Sequence, residues 1–138
     1  MKIKGVMIIL FGISLVFVSC SKKGETGLRA LINEMHDELI EYKKNMTRAV
    51  NAKEVADEVI RHNRKLIEFA DALNELGEKY PELNDEKYVK KYQNEALIEE
   101  VGREVSPVLE KYMGEPEIQD AYQKMKEEAL AGSKGSGG

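Results

Sequence analysis

The sequence has little of several things, and each shortage excludes something. One cysteine occurs in 138 residues, with three prolines, two histidines and no tryptophan. A single cysteine excludes an intrachain disulfide, so stability must come from the core. It also excludes the Cys-x-x-Cys-His motif that attaches haem covalently. Alternating β-branched runs are missing, as are Asn-Gly and Asp-Gly turns, so no sheet is predicted. There is no Gly-rich phosphate loop, and no serine sits in a nucleophile-elbow pattern. Basic charge is in deficit, with 21 Lys and Arg against 25 Asp and Glu. A nucleic-acid binder needs a basic face, and this balance argues against one.

Long apolar runs are also lacking, with one exception. Lys2 and Lys4 precede residues 5–18, which are uncharged and almost wholly apolar. A positive segment, a short apolar segment and a small residue before a cut describe a secretory signal peptide. The run has 14 residues, whereas a membrane-spanning helix needs roughly 20. The only cysteine, Cys20, stands at the end of this run, with Lys22 and Lys23 just beyond it.

Phe17, Val18, Ser19 and Cys20 together resemble the lipobox of bacterial lipoprotein precursors, with Phe17 where leucine is usual. The resemblance covers the first twenty or so residues. It implies cleavage before Cys20 and attachment of diacylglycerol to the sulfur, usually with a further acyl chain, such as palmitate, on the new amino terminus. Several chains anchor far more firmly than one, at about 0.8 kcal/mol per buried CH₂. It also implies a place in the cell envelope. Ser21 rather than Asp after the cysteine points to the outer membrane, facing the periplasm, where the source has two membranes. Lys2 and Lys4 leave with residues 1–19, so the chain from Cys20 carries 19 basic and 25 acidic side chains, net −6.

Residues 20–26 are polar and glycine-containing and read as a lipidated tether. Leu28, Ile32, Met35, Leu39, Tyr42, Met46 and Ala49 then recur at steps of four and three, the stripe of an amphipathic helix. Asn51 and Glu54 read as a capping box that starts a second helix after a turn near 50–51; the alternative is one uninterrupted helix over 27–77, because no Gly or Pro intervenes. The second stripe is Val55, Val59, His62, Leu66, Phe69, Leu73 and Leu76, ending at Gly77. After the connector at 80–85 comes a third helix with a less regular apolar pattern. Within it Ser106 and Pro107 mark either a kink or a new start. Gly114 and Pro116 precede a short final helix. The expected fold is all-α: an antiparallel bundle over residues 27–131, three long helices plus a short C-terminal one, after a cleaved signal peptide. Residues 132–138 have nothing to bury and read as a disordered tail.

Chemistry is sparse. His36 lies at the border of the first stripe, and His62 inside the second, one turn after Glu58. His62 is expected to be neutral and structural, with Glu58 as its nearest carboxylate. Paired Glu-x-x-His elements of a di-iron bundle are absent. Met35, Met46, Met113 and Met125 occupy helical spacings that suit ordinary core, although a His and a Met also form the axial pair of some haem-binding bundles. Glu34, Asp37, Glu38 and Glu41 read as a solvated helix face, as do Arg61, Arg64 and Lys65. The sequence therefore predicts no catalytic, metal or cofactor residue and one modified residue, Cys20. It predicts a non-enzymatic, lipid-anchored envelope protein that binds an envelope partner and no nucleic acid, with a small haem- or metal-binding bundle as the alternative.

Overall fold

A computed structural model of the chain describes the backbone of residues 2–136 and the side chains of residues 23–132. The signal-peptide reading of residues 1–19, the lipidation reading of Cys20 and the tail beyond residue 132 fall on side chains outside that set. The described chain is almost wholly helical, without a strand. The elements are α1 (Lys2–Arg48), α2 (Ala52–Lys79), a 3-10 turn (Pro81–Asn84), α3 (Glu86–Tyr92), α4 (Glu95–Tyr112) and α5 (Pro116–Ser136). Among the described residues no helix is long and apolar enough to cross a membrane.

The chain divides into two compact units. Residues 1–34 and 70–93 make the first, and residues 35–69 and 94–138 the second. In the first, Leu28 and Ile32 of α1 pack with Leu83 of the 3-10 turn, and Leu73, Leu76, Tyr80, Tyr88, Val89 and Tyr92 close the cluster. Of the residues read as a tether, 23–26 lie within α1. Gly24 is buried. A Cβ there would stand 2.8 Å from Cγ of Tyr80 and 2.9 Å from Cδ1 of Leu83, so this position has room only for glycine.

The second unit has the larger core. Met46, Val55, Ala56, Val59, Val101, Val105, Ile118 and Ala121 are buried in it, drawn from α1, α2, α4 and α5. The turn between α1 and α2 carries half of the capping box and a variant of the other half. The Glu54 backbone N–H donates to Oδ1 of Asn51 at 2.9 Å, while Oε2 of Glu54 reaches one residue past the cap and accepts from the Val50 N–H at 2.8 Å. The first bond satisfies a donor that the opening turn of α2 leaves free, and the second fixes the chain entering it.

Four features differ from the sequence reading. Gly77 does not end α2, which runs to Lys79. Its φ is not positive, and it serves instead as a close approach for the Asn84 side chain. The third helix is divided, because Asn94 is extended and its side chain caps α4 by accepting the Leu97 N–H at 3.1 Å. The final helix is not short, since α5 has 21 residues against 18 in α4; Pro107, one of whose two expected readings was a place within a continuing helix, lies inside α4, where its missing N–H removes one rung without ending the helix. Leu66 is 38 % exposed and Ile67 39 %, so the second stripe leaves the core at that point.

Candidate functional site

The second unit buries three polar residues: Glu38, Glu58 and His62. Periodicity explains how they meet. The turn at 49–51 reverses the chain, so Glu38, ten residues before the end of α1, returns beside Arg61 and His62, about as far along α2. Arg61 grips Glu38 with two bonds, Nη1 to Oε2 at 2.9 Å and Nη2 to Oε1 at 2.6 Å. It also holds Glu58, one turn earlier on its own helix, through Nε to Oε2 at 2.9 Å and Nη2 to Oε1 at 2.5 Å. Such forked guanidinium–carboxylate pairs are among the stronger hydrogen bonds in proteins.

His62 completes the cluster. Its Nδ1 lies 3.2 Å from Oε1 of Glu38. An ionised carboxylate only accepts, so Nδ1 carries the proton. The ring stacks on Tyr42, with centroids 3.8 Å apart and planes 6° from parallel. Burial pulls the His62 pKa below its ordinary value, and the Glu38 carboxylate offsets this only in part. His62 is therefore neutral at pH 7. Burial works to raise the Glu38 pKa, but the bonds from Arg61 and His62 outweigh it and hold it below the usual carboxylate range. Tyr42 is pushed up to about 12, first by burial, then by Tyr122 and Glu58.

Two carboxylates share one guanidinium here, and the imidazole adds a neutral donor. Among the described residues no buried side-chain nitrogen or oxygen lacks a hydrogen-bond partner. Arg61 thus pairs with both carboxylates of the cluster, and Glu38 also holds Nδ1 of His62. Two open grooves share Arg61 and Asp57 in their linings. One, of about 350 Å³, is lined by Asn45, Arg48, Glu54 and Asp57. The other, of about 420 Å³, is lined by Ile60, Arg64, Lys65, Glu68 and Lys124. Both mix charges of either sign.

The structure redistributes the residues that the sequence singled out. His62 is buried as expected, but its partner is Glu38 from α1 and not Glu58, which Arg61 claims. Glu38 is not part of a solvated face. Arg61 belongs to the buried cluster, whereas Arg64 pairs with Glu128 at 2.8 Å and Lys65 with Glu68 at 3.3 Å on the exterior. His36 lies apart from the cluster, and its Nε2 accepts the Asn94 backbone N–H at 3.0 Å, bracing the start of α4. Met46 is fully buried in the core, while Met113 is 49 % exposed. Among the described residues no group of three or more His, Cys, Asp or Glu side chains is placed to hold a metal ion. The missed residues are Glu38 and Tyr42. The available signal was that Tyr42 and His62 are the polar-tipped members of two consecutive apolar stripes, and Glu38 lies one turn before Tyr42.

No family model, curated protein or solved structure matches the chain.

Proposed function

We propose that this is a lipid-anchored protein of the bacterial envelope whose helical domain works by binding another envelope component and not by catalysis. On this reading residues 1–19 are removed, Cys20 carries the lipid, and residues 27–131 pack as an antiparallel bundle. Where the source has two membranes, the protein sits on the outer membrane and faces the periplasm. The observation that carries the non-enzymatic part is the pairing of Arg61 with both buried carboxylates, Glu38 and Glu58. Those charges are spent on one another, and the adjoining grooves present mixed charge, which suits a protein surface better than a small substrate. The observation that carries the anchor is the position of the only cysteine at the end of the only strongly apolar run.

Metabolic labelling with a fatty-acid analogue tests the anchor. Wild type should take label, and Cys20→Ser should take none and accumulate as a larger precursor. Equal labelling would sink the anchor. Crosslinking in intact envelopes followed by pulldown should recover a defined protein partner. Stoichiometric uptake of haem or a divalent metal by the purified protein, lost in His62→Leu, would overturn the interaction role in favour of a cofactor-binding bundle.

A further inference from the structure

Gly24 lies only four residues beyond Cys20, and it is already locked into the first unit against Tyr80 and Leu83. Glu25 beside it is held from α3, by the Tyr92 hydroxyl at 3.0 Å and by Nζ of Lys91 at 3.6 Å. A four-residue link spans at most about 14 Å when fully extended. The lipid on Cys20 fixes one end of that link at the edge of the hydrocarbon, and the headgroup layer above it is roughly 5–7 Å deep. Gly24 is then within about 10 Å of the headgroup surface, less than the 10–12 Å diameter of one helix with its side chains. The neighbours of Gly24 have no space in which to stand clear of the bilayer.

We propose that the end of the first unit at which Gly24 packs against Tyr80 and Leu83 faces the lipid headgroups, with the exposed Lys23 and Lys79 and the half-buried Tyr80 and Tyr92 as its contacting side chains, held on the bilayer by this short link. The proposal rests on the lipid anchor at Cys20. The chemistry of the surface suits phospholipid headgroups. Lys79 lies over the Tyr80 ring at 5.6 Å, and Lys91 over the Tyr92 ring at 5.3 Å. Tyrosine favours the membrane–water interface, and the exposed Lys23 and Lys79 can lay their stems along apolar surface while their ammonium groups reach phosphate. Lys23 is exposed, and Glu25, the acidic residue nearest the anchor, is neutralised by Lys91. The first unit is thus held flush against the membrane and does not swing on a flexible stalk.

The test uses the full lipidated protein in vesicles of phosphatidylethanolamine and phosphatidylglycerol that carry headgroup spin labels. With Cys20 acylated, a fluorophore can be placed on Lys79→Cys or on Glu34→Cys. Residue 34 is ten residues along α1 from Gly24, about 15 Å at the helical rise, so quenching should be about threefold stronger at 79 than at 34. Equal quenching at both positions, with Cys20 shown to carry lipid, overturns the surface while the anchor stands. Absence of lipid on Cys20 removes the anchor and the proposal together. A ten-residue Gly-Ser insertion between Lys22 and Lys23 should lower quenching at 79 severalfold. Unchanged quenching after that insertion overturns the role of the short link.

Discussion

Replacing Glu38 by Gln keeps the size of the side chain and removes its charge. Glu38 is 6 % exposed and accepts two bonds from Arg61 and one from His62. A hydrogen bond to a charged group is worth about 1.5–3 kcal/mol, and breaking a buried ion pair from one side costs about 3–5 kcal/mol. Two features reduce that here. Arg61 is 32 % exposed and keeps Glu58, and Gln retains one carbonyl oxygen. The expected loss is about 2–3 kcal/mol, which for a domain of this size lowers Tm by roughly 10 °C. Glu41→Gln, an exposed neighbour on the same helix, should change stability by less than about 0.5 kcal/mol. Urea unfolding of the chain expressed from residue 21 measures both. A second reading comes from His62, whose pKa Glu38 holds up against burial. In Glu38→Gln that pKa, followed by NMR of the imidazole, should fall further. A loss no greater than that of Glu41→Gln, or a rise in the His62 pKa, would refute the bridging role of Glu38.

Three further outcomes are expected. The His62 pKa is lower in the folded chain than in the unfolded one, so its contribution is complete above about pH 6.5 and is lost as pH falls below that value. Glu38, also depressed, adds a second loss in the acid range below about pH 4.5. Denaturation at pH 7.5 and 5.5 should therefore reveal an acid-side weakening that is smaller in His62→Leu, which should keep the fold. In the core, Met46→Ala and Ile118→Ala, at 0 % and 1 % exposure, should each cost about 2–5 kcal/mol, whereas Leu66→Ala, at 38 % exposure, should cost less than about 1.5 kcal/mol; similar midpoints for all three would contradict the burial pattern. At the α1–α2 turn, Asn51→Ala should lose about 1 kcal/mol through the vacant Glu54 N–H, and an unchanged unfolding midpoint would argue against the cap.

Much of the helical layout is legible in local chemistry. The Asn51 and Glu54 pair announces its turn because capping is a contact between near neighbours. Pro116 opens α5 because its missing N–H costs nothing at a first helical position. The division at Asn94 was missed because the apolar spacing around 88–98 favours no single face, and the cap there competes with a plausible continuous helix. Gly77 misled because glycine serves both helix ends and close approaches, and only the position of Asn84 separates the two. Glu38 was illegible for a deeper reason. On its own helix it sits among Glu34, Asp37 and Glu41, and nothing local distinguishes the one carboxylate that meets an arginine 23 residues later. Leu66 continues a perfect stripe, yet a stripe records only which way a side chain faces and not whether another helix covers it.

The stack of Tyr42 on His62 gives the molecule an optical handle of its own. With no tryptophan in the chain, near-ultraviolet absorption and emission come mainly from tyrosine, and one tyrosine ring lies 3.8 Å from an imidazole deep in the second unit. Burial pushes its hydroxyl up to about 12, so this ring stays a phenol throughout the range in which His62 changes charge. Protonation of His62 places a cation against the same π face, and the emission of Tyr42 should register that change. The charge state of the buried cluster can thus be followed in unlabelled protein, in a cuvette, while any ligand, lipid or partner is added.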